Sequence, residues 1–355
     1  MVKFRKYKFD TPNGQRVEAS LLKGYVVLFV AEDYWIAAKG YSLYKYDVAT
    51  QKWSYWSRLV DKKSALLSRF KLSRRLFRAE ITHLYHFAND VWMCIAKRAI
   101  FRYNPTTKLF EKCCTIEKGS RPMALCQDRG GVIYYGEYFY NPERKPVRIF
   151  ASKDNGDTWA TVYTFQDGEI NHIHGIFNHE NRLWLATGDD DVACIFGYTE
   201  DGFKTLVKAW SGSQMYRVCV PLFVDDKIIF ATDSQYEPNV IRMLDGATGR
   251  MQNLASIQGS GIYAVANGRA MAVSTTVEPS EVNLDKSSHL WFSIDGKEWK
   301  EIVAFRKDCW KATLFQFGSI RFPHYESPSS NLIITGRAIK TLDQNTLIIP
   351  IDSIK

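Results

Sequence analysis

Residues 170–210 read INHIHGIFNHENRLWLATGDDDVACIFGYTEDGFKTLVKAW, and the fold follows from how this stretch divides. Four runs stand out, Ile170–Phe177, Arg182–Thr187, Ala193–Tyr198 and Thr205–Trp210, each rich in aliphatic or aromatic residues. Between them lie Asn178-His179-Glu180-Asn181 and Glu200-Asp201-Gly202. Such residues accept positive φ or bond their own backbone, so they turn the chain. Short apolar runs separated by turns of this kind predict β-strands joined as an antiparallel meander.

The unit recurs outward in both directions. Gln214 to Ile257 and Gly259 to Phe305 follow it; Arg121 to Phe165, the shorter Ala79 to Ile116, and Val26 to Leu59 precede it. The tail, Trp310 to Ile351, makes an imperfect further copy. A repeat of this length signals an array of supersecondary units. Seven units of four strands predict one all-β domain over residues 1–355, a seven-bladed β-propeller of four-stranded blades. Phe4–Phe9 alternates polar and apolar residues and is expected to complete the last blade, because an open ring leaves strand edges unpaired. One segment breaks the pattern. Residues 62–78 read KKSALLSRFKLSRRLFR, a short basic helical insertion expected between blades one and two. It is a candidate for surface packing, or for contact with an anionic ligand or a membrane surface.

Composition narrows the partners. The chain has 355 residues, 46% hydrophobic and 24% charged, enough for a full core. Lys+Arg 47 against Asp+Glu 38 gives a formal charge of +9, which favours anionic partners. No recognised nucleic-acid module surrounds the basic residues, so nucleic acid is not expected. No run of about 20 apolar residues could span a bilayer. Met1-Val2-Lys3-Phe4-Arg5-Lys6 lacks the apolar core of a secretory signal. The seven cysteines are scattered without a CxxC pair, and this usage fits a reducing, cytoplasmic compartment. A Walker loop, HExxH and GxSxG are all missing, which argues against nucleotide-driven and α/β-hydrolase chemistry.

Ser152-Lys153-Asp154-Asn155-Gly156-Asp157-Thr158-Trp159 carries the most specific motif, Ser-x-Asp-x-Gly-x-Thr-Trp. Ser293-Ile294-Asp295-Gly296-Lys297-Glu298-Trp299 is a shorter copy, and Thr199-Glu200-Asp201-Gly202-Phe203 a weaker one. The carboxylate is expected to accept bonds within the turn, the glycine to take positive φ, and the aromatic to bury itself between blades. On these motifs the chain resembles the Asp-box (BNR-repeat) β-propellers, the superfamily of sialidases and other glycan-active enzymes. It departs from true sialidases. Their early aromatic-Arg-Ile-Pro motif has only Ser120-Arg121-Pro122 as a counterpart, and Arg217 and Arg321 lack a third arginine to complete a carboxylate-gripping triad. Asn171-His172-Ile173-His174-Gly175, Leu183 to Asp189 and Gly212 to Arg217 resemble the uncharacterised sialidase-like propellers of bacterial polysaccharide biosynthesis. That resemblance implies a glycan context and no particular reaction.

The candidate site lies opposite the Asp-box turns, where the long loops are expected to collect. His172 and His174, at i and i+2, project from one side of a strand. They could transfer a proton, ligate a metal with a third group from a neighbouring blade, or simply line the ring with satisfied hydrogen bonds. The run Asp189-Asp190-Asp191 is a solvated turn or an aid to a cation. Glu137 and Tyr138 stand at the start of a long insertion; with the histidines they form the candidate catalytic set. Gln214, Tyr216, Arg217 and Arg321 form the candidate substrate-binding set. No metal is assigned and the cofactor is unknown. The expected partner is an acidic polysaccharide, cleaved by a lyase or a glycoside hydrolase; the alternative is a non-catalytic propeller scaffold that binds glycan or protein.

Overall fold

The computed structural model describes residues 3–355. Most of its strands form consecutive antiparallel meanders, and the arrangement is all-β and propeller-like. Two compact units divide the chain, one of residues 59–65 and 80–221, the other of residues 1–58, 66–79 and 222–355.

The unit containing residues 80–221 holds three four-stranded sheets. They run Ile81–Phe87 to Leu109–Thr115, Cys126–Gln127 to Ala160–Phe165, and His172–His179 to Val207–Ser211. In the third sheet, both faces of Arg182–Gly188 are covered. One face puts Trp184 against Phe196 at 5.2 Å and Trp210 at 6.1 Å. The other sends Leu183 and Leu185 into a core shared with Val147, Ile149 and Phe165 of the second sheet. A strand buried on both faces reads as a continuous apolar run, as LWLA does.

The larger unit differs from expectation. A five-stranded sheet forms when His324–Tyr325 adds in parallel to Val26–Val30, and a four-stranded sheet runs from Leu222–Val224 to Met251–Ser256. All remaining strands join one nine-stranded sheet. Five sheets therefore stand as separate blades, where seven were expected. The cause is Gly318–Arg321, which pairs with Ala270–Val277 on one side and Asn331–Arg337 on the other, so strands read as two units run into each other. Within that sheet the N-terminal hairpin Phe4–Asp10 and Arg16–Leu22 pairs onto Thr346–Pro350.

The single basic helical insertion is also corrected. Two six-residue helices form instead, Lys62–Leu67 and Lys71–Leu76. The second helix inverts the usual polarity: Arg74 and Arg75 are buried, while Leu72, Leu76 and the preceding Phe70 are exposed. Hydrogen bonds explain the inversion. Arg74 donates to the Ser68 carbonyl and to Gln344, and Arg75 to the Phe315 carbonyl and Asp308.

The three Asp-containing turns join third to fourth strands and make the bonds their residues dictate. Asp154 accepts from Ser152 Oγ, Thr158 N and Thr158 Oγ1 at 2.8, 2.9 and 2.5 Å. Those donors hold its carboxyl down at about 2. Asp201 repeats the pattern with Thr199 and Thr205. Gly156, at φ 91°, lies so close to Met93 of the preceding sheet that a Cβ would come within 2.5 Å of its methyl. Glycine is required there on both counts.

Candidate active site

The site begins with an irregularity in His172–His179. Its register against Arg182–Gly188 shifts between Ile173 and Gly175, leaving His174 as the extra residue of a bulge. Bulges re-aim side chains. Here the two imidazoles lie 5.1 Å apart, centre to centre, and both are buried. Tyr138 meets His172 edge-on at 4.4 Å and His174 at 6.5 Å.

Backbone carbonyls decide the tautomers. His172 Nδ1 lies 3.2 Å from the Phe139 carbonyl, and His174 Nδ1 2.8 Å from the Val218 carbonyl. A carbonyl only accepts, so each Nδ1 carries a proton, and the Nε2 of a neutral ring then keeps its lone pair. Both Nε2 atoms face Oδ1 of Asp189, at 3.5 and 4.0 Å. His172 Nε2 is buried without a hydrogen-bond partner. Burial, reinforced by the neighbouring His174 and partly opposed by Asp189, pushes His172 down to about 4. Its ring is therefore neutral near pH 7.

Asp189 is held by two residues from the next segment. Arg217 donates to its Oδ1 at 2.8 Å and to its carbonyl at 3.0 Å, and Gln214 donates to the same carbonyl at 2.8 Å. Asn171 adds a bond from the Asp189 N–H to its Oδ1 at 3.1 Å. One carboxylate oxygen and two imidazole nitrogens thus converge within 4.8 Å, a donor set suited to a divalent cation. An orphaned, buried Nε2 is what such an ion would satisfy. The carbonyl behind each ring is the usual outer-shell partner of a metal-binding histidine.

No family model and no curated protein matches the chain. Solved structures do. An oligogalacturonate lyase in complex with manganese aligns at TM-score 0.58 and 10% identity, covering 100% of this chain and 98% of its own. A catalytically inactive virginiamycin B lyase from Staphylococcus aureus, with quinupristin, aligns at 0.55 and 10% identity, covering 98% and 99%. The GH74 enzyme of Niastella koreensis aligns at 0.51 and 13% identity, covering 78% of this chain and 45% of its own. At such identities the likeness is one of fold, shared with propeller enzymes that include lyases and a glycoside hydrolase. It does not make the chain an Asp-box sialidase relative.

The other candidates are placed differently. Glu137 is buried and bound to Arg148, which donates to it from Nη2 at 2.7 Å, Nε at 3.2 Å and the backbone N–H at 2.9 Å. Tyr216 is half-buried in the 3₁₀ turn Gln214–Tyr216. Arg321 belongs to the other unit, where its guanidinium lies 5.1 Å from the Tyr263 ring centre. Asn171 and the two carbonyl partners were not singled out from sequence. The Asn beside the His-x-His pair was the available signal; the carbonyls have none, since every residue carries one.

Proposed function

We propose that this chain is a carbohydrate-active propeller that cleaves an acidic polysaccharide by β-elimination at the cluster of His172, His174, Asp189 and Tyr138. The observation that carries the reading is the convergence of the two Nε2 atoms on one carboxylate oxygen, with a phenol edge-on to His172.

In a uronate chain, the carboxylate must be neutralised before the proton on the adjacent carbon can leave. The C–H bond then breaks, a carbon–carbon double bond forms, and the departing glycosidic oxygen takes a proton. A divalent cation held by His172, His174 and Asp189 would supply the neutralising charge. The Phe139 and Val218 carbonyls fix both imidazoles with Nε2 inward. Arg217 and Gln214 position Asp189. Tyr138 is the proton-transfer group of the proposal: its phenolate takes the proton from carbon, and the phenol so formed returns it to the departing glycosidic oxygen. Hydrolysis is less well supported, because it asks for a second carboxyl group and Glu137 is committed to Arg148. The fold shared with a manganese-bound oligogalacturonate lyase favours testing a uronate polymer and this ion first.

The test is incubation of the chelated full chain with polygalacturonate and other uronate or sialate polymers, with and without Mn²⁺. Ultraviolet absorbance from unsaturated ends, dependent on the ion and lost in His172→Ala, is expected. New reducing ends without unsaturation would assign hydrolysis. Glycan binding with no product would favour the scaffold role.

A further inference from the structure

A groove of about 620 Å³ lies wholly within the larger unit, and its walls carry six cations: Lys71, Arg75, Lys286, Arg306, Lys307 and Lys340. Against them stand two carboxylates, Asp308 and Asp343. Both are already engaged. Asp308 pairs with Arg75 and, at 3.2 Å, with Lys307; Asp343 pairs with Lys71 at 2.9 Å. Lys286, Arg306 and Lys340 have no ion-pair partner among the described residues.

Backbone pairing is what gathers these three. The Lys307 N–H donates to the Lys286 carbonyl and the Lys340 N–H to the Arg306 carbonyl, both at 2.9 Å. Three exposed cations from three separate segments are thereby ranked along one sheet end. The buried layer behind them is also rich in cations. Burial pushes Arg337 down to about 9 against the pull of Asp343, and repulsion from Arg74 and Arg75 adds to the fall. Chain segments that concentrate positive charge at this density favour a ligand that returns negative charge. The remaining lining is apolar, with Val277, Pro279 and Ile339, and Trp310 stands half-exposed beside them.

We propose that this groove binds a segment of acidic polysaccharide, its carboxylates meeting Lys286, Arg306 and Lys340 and one sugar face packing on Trp310. The preference for glycan among polyanions rests on the function proposed above; the charge excess and the shape do not. Exposed cations on long stems suit charges spread along a chain better than one small ion. A single-stranded nucleic acid calls for successive aromatic platforms for its bases, and among the described residues Trp310 is the one aromatic side chain lining the groove.

The test is calorimetric titration of oligogalacturonate into the full chain in a His172→Ala background. This keeps binding separate from turnover: a retained affinity with no turnover anywhere would sink only the proposed reaction. The triple variant Lys286→Ala/Arg306→Ala/Lys340→Ala, checked for an unchanged unfolding midpoint, should bind at least tenfold more weakly. Trp310→Ala should weaken binding several-fold, and raised salt should weaken the parent more than the triple variant. Parent-like binding by the triple variant overturns the proposal. So does tighter binding of a single-stranded oligonucleotide, or of inorganic phosphate, than of the uronate chain.

Discussion

Arg217 reaches back across 28 residues to hold Asp189 by both its Oδ1 and its own carbonyl. This arginine is a candidate for a substrate carboxylate, and in the structure its buried guanidinium meets the carboxylate of Asp189. Under the proposed function its role is positioning. Arg217→Ala should therefore lower Mn²⁺ affinity about 10–100-fold, the usual cost of losing an outer-shell partner. Calorimetry of the chelated protein reads this directly, and Arg217→Lys should recover part of the loss. A variant with parental Mn²⁺ affinity would detach Arg217 from the site.

His172 makes stability depend on pH. Its folded value of about 4 lies below the ordinary value near 6.5, so the unfolded chain takes up the proton first. Stability from this group is complete above about pH 6.5 and is lost as pH falls toward about 4. Between pH 7 and pH 5 the loss should approach about 2 kcal/mol. Urea unfolding at the two pH values, compared with His172→Gln, isolates this part. An equal pH response in both proteins would contradict the burial argument.

Gly188 faces the Cε1–Nε2 edge of His174. A Cβ added there would lie 2.6 Å from the ring Cε1 and 3.0 Å from Nε2. Gly188→Ala should displace the imidazole at a stability cost of about 1–3 kcal/mol. Metal binding should vanish while circular dichroism keeps its β signature. Unaltered metal affinity would mean that His174 is not a ligand.

Glu137 should behave as a structural acid. Its buried carboxylate holds Arg148, whose guanidinium also meets Glu117 at 2.7 Å. Glu137→Gln should cost about 1–3 kcal/mol through the weakened charged bonds, discounted because Arg148 is partly open to water. Turnover of a uronate polymer should persist under conditions where the variant stays folded. Abolished turnover in a stable Glu137→Gln protein would return it to the catalytic set.

Asp154→Ala removes the acceptor of three turn bonds without touching the histidines. The unfolding midpoint should fall and Mn²⁺ binding should not change. Because the carboxyl is held at about 2, its contribution persists above about pH 4 and fades as pH falls toward about 2.

The sequence was informative wherever the deciding interactions are local. Strand runs, turn glycines and the carboxylate bonds within the Asp-containing turns all depend on residues a few positions apart, so spacing and residue type expose them. His172 and His174 were legible as a pair for the same reason. The seven-blade count failed where a distant strand intervened: nothing in Gly318–Arg321 announces that it will pair with Ala270–Val277 as well as Asn331–Arg337. The burial of Arg74 and Arg75 was hidden likewise, because they are turned inward by Gln344, Asp308 and the Phe315 carbonyl, more than 200 positions away.

Residue type and spacing alone, then, determined an all-β repeat, its turns and a histidine pair on one strand. Tertiary structure alone decided which groups those histidines meet. Phe139 and Val218 offer only backbone carbonyls, which carry no signature in a sequence, yet they set where each imidazole proton lies. Arg217 and Glu137 carry charges visible at once, but what a charge does depends on the opposite charge nearest to it in space. For Arg217 that neighbour is Asp189 and for Glu137 it is Arg148, and both pairings arise from loop closure and sheet register that short-range patterns do not encode.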